Sequence, residues 1–420
     1  MATDTYKENH YVPQWYQRRF LPSTGEQKFR YLDLRPETFL DEMGRLRQKT
    51  SLHRWGTNRC FKQTDLYTTR LGKWESTHIE QFFFGRVDDQ GRKAVDYFTT
   101  FVHPSIDRDA FYALLNFMSV QKLRTPKGLA YLADQTELKS KNAILLAMQR
   151  LQHLHCAIWT ESVWLIAEAA DTTTKFIVSD HPITVYNEDC FPGSSWCYDF
   201  RDPEIWRLGT HTLFPLSLRK ILILTNLAWV RNPYANGTKL RPNPDPLRPA
   251  IFKFTSIQTG RNLTEIEVNQ INFIIKKRAY RFIAAAKEEW LYPEQNIPSD
   301  HWRKLNEQYL LMPDPRSMSF SREIVIGYKT GGSERFDEYG RRPGHKSFKD
   351  EILAEREWRT FHAFQGEFAR LFGPKRRGIS FEFDRLMKCE DSSDCHQHYL
   401  DLEKKFLPPH VRPRRGRRST

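Results

Sequence analysis

Four side chains spread over the first half of the chain have the chemistry of a hydrolytic centre: His10 and Gln14 in HYVPQ, Glu80 in an apolar run, and Asp180 in SDHP. Imidazole and carboxylate groups hold divalent ions, and a bound Mg or Mn ion would activate water and clamp a phosphodiester. Glu80 and Asp180 are the candidate metal ligands, with Arg124 and Lys220 as the cations that would neutralise a scissile phosphate. Gln121 lies three residues before Arg124, shares its helical face and joins the substrate-binding set. Each residue also has a reading without chemistry. Asp180 precedes His181-Pro182, which suits an Asx-type turn. Glu80 neighbours Ile79, Phe82 and Phe83, where a buried carboxylate demands a partner, and an ion pair with Arg124 would supply one.

Other chemistries leave no trace. There is no G-x-x-x-x-G-K-[ST] loop, no G-x-G-x-x-G after a strand and no G-x-S-x-G elbow, which disfavours nucleotide-cofactor enzymes and esterases. Cys389, Cys395, His396 and His398 are zinc-ligand types, but their spacing is not that of a structural zinc site, and a polar loop is the competing reading. Cys190 and Cys197 in CFPGSSWC fit a turn between strands.

The 65 Lys and Arg against 51 Asp and Glu give a net charge of +14, so nucleic acid is the first partner to consider. Part of this excess is local, in KRR at 375–377 and in the arginine-rich tail from Arg412 to Arg418. Hydrophobic residues make up 39% of the chain, enough for a core. Residues 1–9 lack the apolar core of a secretory signal, and no apolar run approaches a bilayer span. An intracellular, cytoplasmic protein without a membrane segment is expected.

The elements that must position these residues follow from periodicity. KFRYLDL (28–34) alternates like a strand, whereas 46–70 is polar and without clear period. A helix is expected from Trp74 with Ile79, Phe82, Phe83 and Val87 on one side. A second runs from about Asp107 to Arg124, and a third carries Ile144, Met148, Leu151 and Ile158. VWLIAEA and KFIVSD, separated by DTTT, read as a hairpin. Strands follow at THTLFPL, RKILILTN and FKFTSIQ, with a proline-rich loop at 231–249. Thr264 and Glu267 form a capping box for a helix with Ile271, Ile275, Ala279 and Phe282 inward. MSFSREIVIGYK could add a strand, 331–344 is a polar linker, and a last helix places Phe361, Phe364, Phe368 and Leu371 on one face.

HYVPQ at the start, a glutamate in the first long helix, Q-x-x-R-T-P at 121–126, SDHP at 179–182 and FPLS at 214–217 occur in the order of a known pattern. By these motifs, over His10 to about Phe282, the chain resembles the uncharacterised family called domain of unknown function 4238. The resemblance implies a fold and candidate positions, among them Asn272 in the closing helix, but no reaction. The chain departs from the pattern at His181, where asparagine is common, and at Leu218, where proline is common.

The expected class is α+β or mixed α/β: a helical middle segment followed by a mixed sheet, with a C-terminal helical extension. The expected core domain spans 1–290, with a helical part at 74–160, a sheet-rich part at 163–260 and a closing helix at 264–287. An extension at 291–405 and a basic flexible tail at 406–420 follow. Two functions compete. One is a metal-dependent phosphodiesterase or nuclease with a noncanonical site. The other is a non-enzymatic nucleic-acid-binding or protein-interaction protein in which the same polar residues form a structural network.

Overall fold

Strands with unbroken apolar interiors are built to be covered on both faces, and two of them form the centre of the protein. In the computed structural model, which describes residues 8–71, 74–101, 107–198, 201–248, 257–381 and 392–411, Val163–Glu168 and Lys220–Thr225 pair antiparallel in the middle of a six-stranded sheet. His211–Pro215 and Thr184–Tyr186 extend it on one side. Ile257–Asn262, parallel to Val163–Glu168, and then Ile379–Ser380 extend it on the other. A second, antiparallel sheet of four strands runs in the order Val178–Ser179, Phe282–Ala285, Phe29–Asp33 and Leu52–Trp55. With helices across 79–160 and again near the C-terminus, the class is mixed α/β, as expected.

The helix Arg108–Arg124 begins where its sequence says it should, with the Asp107 carboxylate accepting from the Ala110 N–H at 3.0 Å. It ends at Thr125, which is extended before Pro126 (ψ 159°). The same threonine caps the next helix, Pro126–Thr136, accepting from the Gly128 N–H at 3.1 Å. A Cβ on Gly128 would lie 2.1 Å from the Lys122 carbonyl oxygen, so only glycine lets the second helix fold back this tightly. The closing helix Glu265–Arg278 carries both halves of its capping box, Thr264 and Glu267.

Several expectations are corrected. Val163–Glu168 and Val178–Ser179 do not form a hairpin; they belong to different sheets, because the first takes neighbours on both edges and the second is drawn to Phe282–Ala285. Trp74–Ser76 is a short strand, and the helical region opens at Ile79 with a π-turn to Phe84 before the α-helix Gly85–Thr99. The wider turn rotates the face by about a residue, leaving Phe82 exposed and Phe84 buried. The expected third helix is two, Lys141–Arg150 and Cys156–Thr160, and the helix at 126–136 was not anticipated. Phe282 opens a strand rather than facing inward from the closing helix, and Leu371 is exposed while Phe361, Phe364 and Phe368 are buried.

The aperiodic stretch 46–70 holds four strands of three or four residues, too short to show a period. Of the strand expected at 252–258, only Ile257 and Gln258 lie within the described residues. The polar linker contains the strand Ser333–Phe336, paired with Ile324–Gly327, and is followed by the buried Asp337, Glu338 and Arg341. Glu338 pairs with Arg231 and Asp337 with Arg341. Among the described residues no helix is long and apolar enough to cross a membrane.

Candidate functional site

The opening motif turns inward through its backbone. Tyr11 and Val12 are buried, Pro13 is extended, and the helix Gln14–Arg18 starts directly after it. The Gln121 side chain donates to the Tyr11 carbonyl at 2.9 Å and accepts from Arg124 Nε at 2.7 Å. Arg124, only 1% exposed, donates to Asp88 at 2.8 Å and lies over the Phe84 ring at 5.1 Å. The partner of Arg124 is therefore Asp88, not Glu80. Glu80 instead accepts from the Asn9 side chain, and burial pushes its pKa up to about 7. Tyr67 closes this region, its N–H donating to Asn9 and its hydroxyl to the Arg124 carbonyl.

Asp180 is 2% exposed, and its two carboxylate oxygens accept three backbone N–H bonds, from Tyr280 at 2.8 Å, Arg281 at 2.6 Å and Phe282 at 2.8 Å. Asn272 brackets another crossing: it accepts from the Ile177 N–H at 3.2 Å and donates to the Lys175 carbonyl at 2.9 Å. His10 lies against the backbone of Thr57 and Asn58, and burial lowers its pKa. Gln14 accepts from Arg18 and Thr57. Lys220 faces Glu168 across the strand pair at 3.8 Å.

Thus Gln121 and Arg124 are brought together, with Glu80 beside them. His10 and Gln14 share the 57–58 segment, while Asp180, Asn272 and Lys220 serve separate places. As a metal centre the set does not fit, because Asp180 is occupied by amides and Glu80 by Asn9. Among the described residues no group of three His, Cys, Asp or Glu side chains converges to hold a metal ion. Cys395, His396 and His398 lie on the helix Ser393–Phe406, where neighbouring positions fan around the axis; Cys389 is outside the described residues. Cys190 and Cys197 are buried free thiols of a tight turn.

The residues next to these motifs build something different. Lys122, Lys127, His155, His181 and Asp202 line a cavity of about 230 Å³, with Tyr131, Ile205, Trp206 and Tyr280 supplying apolar and aromatic wall. Asp202 accepts from Lys122 and Lys127, each at 2.5 Å, and lies 3.1 Å from His181 Nε2. Burial alone would raise the Asp202 pKa, but the two ammonium groups and His181 hold it well below the usual carboxylate range. Lys127 is buried and also donates to the Arg278 carbonyl at 2.7 Å; burial lowers its pKa despite Asp202. Burial and Lys122 push His181 down to about 3, so the ring is neutral, with Nδ1 2.7 Å from the Thr125 hydroxyl. His155 is likewise pushed down to about 3.

The motif residues frame this cavity. Asp180 fixes the backbone of Tyr280, Thr125 meets His181, and Gln121 and Arg124 anchor the helix end that carries Lys122. Sequence reading passed over Lys122 and Lys127, although both sit inside Q-K-L-R-T-P-K-G, and saw His181 only as a departure from a pattern. The proline bend between the two lysines was the available signal. Asp202 had none, because it lies in an aperiodic loop. Comparison with family models, with curated proteins and with solved structures returned no match.

Proposed function

We propose that this chain is a ligand-binding protein whose polar motif residues form a structural frame, and that the cavity beside His181 takes a small aromatic molecule with one acidic group. The observation that carries this reading is the charge at the cavity wall: two lysines, Lys122 and Lys127, share the single carboxylate of Asp202. Buried charge without a counterion is costly, and an incoming anion would balance it. Tyr131, Trp206 and Tyr280 offer flat apolar surface for the body of the ligand.

Thermal melts with aromatic monocarboxylates, benzoate and indole acetate among them, test the proposal. Binding raises the melting temperature of the wild type, and Ala130→Trp, placed on the cavity wall, abolishes the rise. No rise with any such acid, or a rise unchanged in that variant, would sink the reading. The competing nuclease reading has its own test. Cleavage of DNA or RNA with Mg or Mn that is lost in folded Glu80→Gln protein would replace the binding proposal with a catalytic one.

A further inference from the structure

A second charged concavity lies away from that cavity, where the strand Ile257–Asn262 passes into the closing helix Glu265–Arg278 and meets the KRR segment at 375–377. Its volume is about 770 Å³. Arg261 and Arg377 both donate to the same oxygen of Glu267, at 2.9 and 2.6 Å. The other Glu267 oxygen is held by the Thr264 N–H of the capping box at 2.9 Å. One carboxylate thus serves two guanidinium groups.

Arg377 is packed on the Phe372 ring at 4.2 Å, and burial together with the neighbouring Arg261 pushes its pKa down to about 9. Like charges held this close in partly dry surroundings repel. The rim adds two cations, with the exposed Glu307 as its one carboxylate. Lys304 and Lys375 are exposed there and have no ion-pair partner among the described residues. The lining carries Arg261, Lys304, Lys375 and Arg377 against the carboxylates of Glu267 and Glu307, with Asp314 close to both arginines.

We infer that this groove is a phosphate-binding surface and that its ligand is the phosphodiester backbone of a nucleic acid. Guanidinium forks suit phosphate oxygens, and a row of successive phosphates matches a groove with cations at both its floor and its rim. The inference stands apart from the cavity reading, since none of these residues lines that cavity.

The test measures anisotropy of a fluorescein-labelled oligouridine strand with the full chain, whose arginine-rich tail is then common to every sample. Lys304→Glu/Lys375→Glu should weaken binding roughly tenfold or more and flatten the slope of log K against log salt by about 1.4. The control Lys139→Glu/Lys329→Glu changes net charge equally at exposed positions outside the groove and should weaken binding less than about threefold. Equal losses in both variants would overturn the assignment, as would no binding by the wild type. Inorganic phosphate supplied at the strand's phosphate concentration should leave the strand bound. Displacement by it would mean a site for free phosphate, not for a nucleic acid.

Discussion

The frame around Arg124 and Asp180 adjoins the cavity wall around Asp202 through Lys122, Lys127 and His181, yet the two treat buried polarity in opposite ways. In the frame, donors and acceptors match: Asp180 takes three amides, Gln121 links Tyr11 to Arg124, and Arg124 has Asp88. At the cavity two ammonium groups share one carboxylate, and a neutral histidine touches both sides. A matched network gives order to the fold and leaves no capacity for a ligand. An unmatched one beside open volume is where a ligand has something to gain.

The largest expected effects test that contrast directly. Asp180→Ala leaves three amides without an acceptor and should cost on the order of 4 kcal/mol in urea unfolding, with little change between pH 7 and 10. Asp202→Asn takes the counterion from buried Lys127 and partly buried Lys122 and should cost about 3–5 kcal/mol at pH 7. That loss should shrink as pH rises toward 10, because Lys127, its pKa already lowered by burial, can shed its proton. Identical pH behaviour in the two variants would erase the distinction between frame and site.

Acid should expose the next effect. His155, His181 and His211 are each pushed down to about 3 by burial, below the ordinary value of 6.5. Their folded pKa values are depressed, so stability is full above about pH 6.5 and falls as pH drops toward 3. The slope should approach at most about 4 kcal/mol per pH unit, since the unfolded chain binds up to three more protons. Urea midpoints across pH 4 to 7 measure it.

Glu80 has the opposite sign. Its folded pKa is raised to about 7, so its contribution is present below about pH 4.5 and lost as pH rises through 7. Glu80→Gln keeps the acceptor for Asn9 and should stabilise the protein by roughly 1 kcal/mol at pH 8, allowing for partial exposure, and be near neutral at pH 4. The smallest effect belongs to Lys220. Its pair with Glu168 is partly exposed, and Lys220→Ala should change stability by less than about 0.5 kcal/mol.

What the sequence by itself determined is whatever depends on near neighbours along the chain. The helix from Asp107 to Thr125, the capping box at Thr264 and the strands at His211–Pro215 and Lys220–Thr225 follow from caps, a proline and apolar runs. These signals are complete within a few residues, so they survive without tertiary context. The motif residues Gln121, Arg124 and Asp180 do not line the cavity themselves, but each is within two residues of one that does, Lys122, Leu123 or His181.

Tertiary structure alone decided strand partners and the role of each polar residue. Nothing local could show that Val178–Ser179 would leave Val163–Glu168 for Phe282–Ala285, because pairing depends on which distant edge is free. A carboxylate's chemistry is likewise set by who faces it. Asp180 and Asp202 are the same residue type on neighbouring loops; backbone amides make the first a brace, and two lysines hold the second at the wall of a cavity.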